Sequence, residues 1–287
     1  MAERRFDHTS LSIKPRNEDF AITADLPREW LDDDPVRTYW FNAMSILFPA
    51  GERLFMDSVR AFKDEVTDPN LRDQVRGFIA QEAIHGREHE TYNEVLEEQG
   101  LRAELLERQF KMFLRFLRRY PAKAQLAGTC AAEHFTAVLA HSLLSRPEIM
   151  ERAHPTYRAI WTWHAIEETE HKAVAFDVYR TVTHGPGAYF RRIGLFCVAM
   201  LGMNARIFYN WCRMMAAAGE LKPKSFLKLA DFLWGRTGFY RRMVPEFLSY
   251  FRPGFHPWDH DNRALMNRAL ETYSGTAPVD AAAVPAE

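Results

Sequence analysis

Two segments of the chain carry the pattern Glu-x-x-His: Glu82-Ala-Ile-His85 and Glu168-Thr-Glu-His171. Residues three apart share a helical face, so each pair can turn a carboxylate and an imidazole toward one point. Both groups ligate divalent transition metals. One such motif says little, because 23 glutamates and 11 histidines among 287 residues give about one match by chance. A third copy, Glu151-Arg-Ala-His154, precedes Pro155 in a polar connection and is read as that chance match.

Placement on the helix says more than the count. One inward stripe runs Val75, Phe78, Glu82, His85, His89, Tyr92, Leu96, and another runs Tyr157, Trp161, His164, Glu168, His171, Ala175, Val178, Val182. In both, ionisable groups replace apolar residues on the face that should meet the core. Glu167, Glu170 and Lys172 fall on other faces and are expected in solvent. Two further carboxylates interrupt apolar stripes: Glu52 among Phe48, Phe55 and Val59, and Glu133 among Leu126, Cys130, Ala137 and Leu144. Taken alone, a buried glutamate is usually a paired structural residue. Taken together, four helices offer Glu, Glu-x-x-His, Glu and Glu-x-x-His in that order. Glu52 precedes Glu82 by 30 residues and Glu133 precedes Glu168 by 35, each interval suiting one antiparallel hairpin.

Charge then argues for metal. Four buried carboxylates without cations would cost several kcal/mol each and would protonate instead. Two divalent ions neutralise four carboxylates, and the carboxylate-rich set with imidazoles favours iron, then manganese, then zinc. The expected ligands are Glu52, Glu82, His85, Glu133, Glu168 and His171, with His164 as a third imidazole. His89 and Tyr92 are expected to support them from behind. His134 and His141 read as structural.

The elements that must hold these groups are helical. Residues 1–34 are polar and broken by Pro15 and Pro27, and read as an extended arm. A helical segment from Pro35 to Glu65 should kink or restart at Pro49-Ala-Gly51. Asp68-Pro69 is an N-cap followed by proline at the first helical position, and Gly100 is a stop. A periodic stretch covers 101–119, and Pro121 opens a helix to about Leu144. One long helix is expected from His154-Pro155 to His184, with others near 188–218, 224–234 and 238–251 packing outside the bundle. The segment from Gly275, rich in alanine and proline, is expected to be disordered. The fold expected is all-α: a ferritin-like four-helix bundle with additional C-terminal helices, residues 35–255 forming one domain and 256–287 a tail.

Bulk properties narrow the function. A formal net charge of −1 leaves no basic footprint for nucleic acid. Three dispersed cysteines, Cys130, Cys197 and Cys212, and no N-terminal apolar run point to the cytoplasm. Ile193 to Ala205 is too short to span a membrane and reads as a buried helix, membrane-surface contact and a homodimer being left open.

Beyond this physical reading, Glu52, Glu82-x-x-His85, Glu133 and His164-x-x-x-Glu168-x-x-His171 resemble the di-iron p-aminobenzoate N-oxygenases, which implies O2 chemistry and a ligand role for His164. The likeness lies in the ligand set, so the arylamine substrate is not carried over. The Phe48-Pro-Ala-Gly-Glu52 turn, Gln81-Glu-Ala-Ile-His85 and Arg252-Pro-Gly-Phe-His256-Pro-Trp258 resemble a bacterial family described as predicted metal-dependent hydrolases, over about residues 15–265. Three functions are therefore expected in order. The first is an O2-dependent di-iron oxidoreductase acting on a partly apolar small molecule with a separate electron donor. The second is a hydrolase using metal-bound hydroxide. The third is a ferroxidase or iron-binding protein.

Overall fold

The computed structural model describes residues 11–273 and Gly275; the alanine- and proline-rich tail expected to be disordered lies outside the described residues, apart from Gly275. Among them the chain is helical, with an isolated β-bridge between Leu31 and Ala153. Eleven helices follow in order: α1 (Pro35–Ser45), α2 (Phe48–Arg60), α3 (Pro69–Glu98), α4 (Ala103–Leu117), α5 (Ala122–Ser145), α6 (Pro155–His171), α7 (Val174–Val182), α8 (Gly185–Ala217), α9 (Pro223–Trp234), α10 (Val244–Ser249) and α11 (Arg263–Thr272).

Local chemistry sets most boundaries. The Asp34 and Asp68 side chains accept from the backbone N–H of Val36 and Asn70, and Pro35 and Pro69 occupy the first turns. The break in the first segment falls at Ile46-Leu47, just before the expected Pro49 to Gly51. Pro49 fits only a first turn, so α2 must begin ahead of it.

Three expected spans differ. The long helix from Pro155 stops at His171 and resumes at Val174. The Lys172 ammonium is drawn sideways to His260 O and Asn262 Oδ1, 2.7 Å each, and lies 3.9 Å over the Trp258 ring. The helix expected over 238–251 is reduced to α10, because Pro245 can stand only in its first turn. Finally, Ile193 to Ala205 is largely not buried, Phe196 excepted. In α8, Val198 is 67% and Leu201 76% exposed, and only 17% of its most apolar stretch lies inside the fold. α8 rests on α5 and α1 with one face and leaves the other open; by length and composition alone it is long and apolar enough to cross a membrane.

α2 packs on α3, α5 packs on α6 and α7, and the two pairs meet through α2 with α5 and α3 with α6 and α7. Two apolar clusters fill the bundle. One holds Trp30, Phe41, Tyr92, Tyr157, Trp161 and Trp163; the other holds Val59, Phe78, Leu126, Val178, Phe196 and Tyr250. The polar stripe lies where they meet, with Phe48 and Trp161 on one side and Phe78 on the other. The arm is fastened to α3 at Gly77, where a Cβ would stand 2.6 Å from Ile13 O. Only glycine lets the two backbones approach so closely.

Candidate metal centre

Each of the four central columns brings its ionisable residues to the same level. α2 supplies Glu52, α3 Glu82 and His85, α5 Glu133, and α6 His164, Glu168 and His171, none more than 4% exposed. Gly86 on α3 faces Glu52, a Cβ there standing 3.5 Å from its Oε2, so the small residue leaves room for the carboxylate.

The groups sort into two poles joined by one carboxylate. At one pole His171 Nε2 stands 3.1 Å from Glu82 Oε1 and 3.5 Å from Glu133 Oε2. At the other, His164 Nε2 stands 3.8 Å from Glu52 Oε1. Glu168 reaches both: Oε1 is 3.0 Å from His164 Nε2 and 3.9 Å from His85 Nδ1, while Oε2 is 3.5 Å from His171 Nε2. Three trios could each hold an ion, their donor atoms all within 4.8 Å of one another: Glu52 with His85 and His164, Glu82 with His85 and Glu168, and Glu82 with Glu133 and His171.

The outer hydrogen bonds fix which imidazole nitrogen faces inward. Gln81 Nε2 donates to Glu170 Oε2 and Lys14 O, so its carbonyl oxygen is the atom 2.9 Å from His171 Nδ1, which must donate. His171 Nε2 is left facing the carboxylates. His85 Nε2 is 3.1 Å from Glu167 Oε2, whose other oxygen accepts from both the main-chain N–H and the guanidinium of Arg16. Burial and Glu170 push the Glu167 carboxyl up to about 8 against the pull of Arg16. In its ionised form Glu167 accepts from His85 Nε2–H, which leaves Nδ1 inward.

For His164 the chain of donors is longer. Asn93 Nδ2 donates to Ser45 O and Glu107 Oε1, so its oxygen accepts from the Ser45 hydroxyl. Ser45 Oγ must then accept from His89 Nδ1, 2.9 Å away, and His89 Nε2 must accept from His164 Nδ1, 2.8 Å away. His164 Nε2 therefore faces Glu168 Oε1 as a lone pair. Two acceptors at 3.0 Å need a proton or a cation between them.

The electrostatics agree that the centre is short of positive charge. Burial and the neighbouring carboxylates push Glu52 and Glu133 well above the usual range, and burial raises Glu82 to about 7 against the pull of His171. Burial alone would lower His171, yet Glu168 and Glu82 raise it well above an ordinary imidazole. Among the described residues, both oxygens of Glu52 and Glu133, together with Glu82 Oε2 and His85 Nδ1, are buried without a hydrogen-bond partner. So many orphaned acceptors are rare in folded proteins, and oxygen and imidazole donors fit a divalent transition metal.

Every residue expected at the site arrives there except Tyr92. Its hydroxyl donates to Asn42 Oδ1, and its ring packs against His89 and Tyr157. Glu167 and Lys172, expected in solvent, are buried, and the Glu170 side chain is only 10% exposed. The arm covers the outer face of α6 with Arg16, which spans Glu167 and Glu170, while the segment around Trp258 covers Lys172. The supporting residues Arg16, Gln81, Glu167, Ser45 and Asn93 escaped the sequence reading. Only Gln81, beside Glu82 within the conspicuous Gln-Glu-Ala-Ile-His run, carried a signal. His134 is structural as expected: burial lowers it to about 3, and its Nε2 lies 3.2 Å from Glu246 O.

Fold and centre together define an all-α bundle protein with a buried carboxylate–imidazole cluster able to hold metal. The family model described as predicted metal-dependent hydrolase matches residues 14–261, and the chain belongs to that family. Comparison with curated proteins and with solved structures gave no match.

Proposed function

We propose that this protein is a dinuclear metal enzyme of ferritin-like type, with iron as the metal, that uses O2 to oxidise a partly apolar organic molecule. The observation that carries the reading is Glu168, with one oxygen turned to the His164 and His85 pole and the other to the His171 pole. A carboxylate placed so could be shared between two ions, which Glu52, Glu82, Glu133, His85, His164 and His171 would hold with it. When bound, a reduced pair of irons supplies electrons to O2.

The chain's own residues do the rest. Glu167, Gln81 and His89 hold the three imidazoles by their outer nitrogens, so that the inward nitrogens are oriented before any ion arrives. Phe48, Trp161, Phe78 and Trp163 pack around the imidazoles and exclude bulk water. A void of about 10 Å³ bounded by His164, Glu168, Phe48 and Trp161 leaves space for one water-sized molecule beside the carboxylate. Hydroxylation of a C–H bond with reduction of the second oxygen atom to water takes two electrons and two protons from a separate donor.

The family's description favours a second reading, hydrolysis by a metal-bound hydroxide. Metal analysis followed by anaerobic reduction and O2 admission separates the two. Two irons per chain and an optical transient on mixing support the oxidative reading. A colourless, O2-inert protein loaded with zinc overturns it in favour of hydrolysis. Assembly into a shell filling with thousands of irons would point instead to storage.

A further inference from the structure

A groove of about 850 Å³ runs along the outside of α6 between α5, α11 and the N-terminal arm. Its size is that of a small-molecule site, roughly 300–1,000 Å³. Its walls include the apolar Phe20, Met150 and Leu265. Its inner wall is Leu143 and Trp161, both buried. The same two side chains bound the small void that touches His164 and Glu168. The groove and the metal centre are therefore separated by one layer, a leucine and an indole.

The groove carries both signs on different walls: Glu18 and Asp19 stand on the N-terminal arm, Arg158 and Arg268 on α6 and α11. Asp19 accepts from the Ala21 N–H within its own turn, and Glu18 lies against the Tyr273 phenol, which burial and that carboxylate push up. Arg158 donates to the main-chain oxygens of Glu151 and Ala153, contacts that hold its guanidinium without neutralising it. Arg268 projects from the exposed side of α11. Among the described residues, neither arginine has a carboxylate within ion-pair distance, and both line the groove.

We propose that this groove is the substrate site and that it takes an elongated carboxylate. Its anionic head lies at Arg158 and Arg268, and its apolar chain runs inward to Leu143 and Trp161, one layer from the centre. The assignment of catalysis rests on the metal-centre reading above; the ligand class rests on the groove alone. Leu143 and Trp161 are then the residues that decide how far a chain reaches and which carbon meets the centre.

The test is calorimetric titration of the full-length protein, with metal content measured on the same sample, using octanoate against octan-1-ol and octylamine. Saturable octanoate binding is expected at one site, with the alcohol and the amine at least about tenfold weaker. Arg268→Glu should weaken octanoate at least about tenfold and leave metal content unchanged. Ala269→Trp, which fills the groove from α11, should do the same without altering charge pairing. Equal binding of octanoate and octanol, or octanoate binding indifferent to both substitutions, overturns the proposal, the latter placing the carboxylate on the metal instead. The two readings fail separately. A protein without metal that still binds octanoate through Arg268 keeps the ligand site and loses its catalytic role. Two bound metals with no octanoate binding at millimolar concentration sink the groove alone.

Discussion

His85 Nε2 stands 3.1 Å from Glu167 Oε2, and Glu167 in turn is held by the main chain and guanidinium of Arg16, 151 residues away in sequence. A residue of the arm thus sets which nitrogen of a candidate ligand faces the centre. Metal-bound imidazoles commonly depend on such an outer partner, and losing it costs about 10–100-fold in affinity. Glu167→Ala is expected to lower metal affinity by that factor in chelator competition while the helical circular dichroism persists. Unchanged affinity would remove Glu167 from the support of the centre.

Gly77 tests the same link from a distance. Valine there would collide with Ile13 O and lift the arm that carries Arg16. Gly77→Val should therefore reproduce the affinity loss of Glu167→Ala, although it touches no ligand. The two losses should not add in the double variant, because both act on one contact. Additive losses would show that the arm and Glu167 act independently.

Stability and metal binding should part company at Glu133. Burial and carboxylate repulsion hold it protonated well above the usual range in the metal-free protein. Glu133→Gln removes the cost of keeping that carboxyl protonated at neutral pH, so the metal-free Tm should rise while metal affinity falls. A fall in both would mean that Glu133 is a structural hydrogen-bonding residue.

The pH dependence follows from the same carboxyls. A glutamate with its folded pKa raised contributes stability that is present below its unfolded value near 4.5 and lost as pH rises through the folded value. The metal-free protein should therefore weaken from about pH 5 upward as Glu82, near 7, and then Glu52 and Glu133 ionise. A divalent ion replaces those protons. Metal binding at pH 7 should release protons, affinity should rise with pH, and the Tm gain on metal addition should grow between about pH 5 and 8. Calorimetry in buffers of different ionisation enthalpy measures the release, and pH-independent binding would contradict it.

Trp163 closes the His85 side of the centre, its ring 4.7 Å from the imidazole and 5.2 Å from Phe20. Fully buried, it should cost about 3–5 kcal/mol on Trp163→Ala by denaturant unfolding. Metal-loaded Trp163→Phe should retain most of the stability. A loss under about 1 kcal/mol for the alanine variant would place the ring outside the core.

The chain by itself determined which candidate ligands share a helical face. Helical periodicity of 3.6 forces Glu82 and His85, or His164, Glu168 and His171, onto one face whatever surrounds them, and apolar neighbours mark that face as inward. The proline and aspartate signals at 34–35 and 68–69 were equally local, and the structure obeys them. What tertiary packing decided is everything a single helix cannot know about its outer side. Glu167 lies 100° around the helix from Glu168, and periodicity alone assigns that direction to water. The arm covers it instead, through a contact between backbones at Ile13 and Gly77 that no periodic pattern records. Packing likewise ended α6 at His171, because Lys172 is pulled toward a segment about 90 residues further on. The open face of α8 shows the converse: an apolar run predicts burial only if some element arrives to bury it, and none among the described residues covers that face.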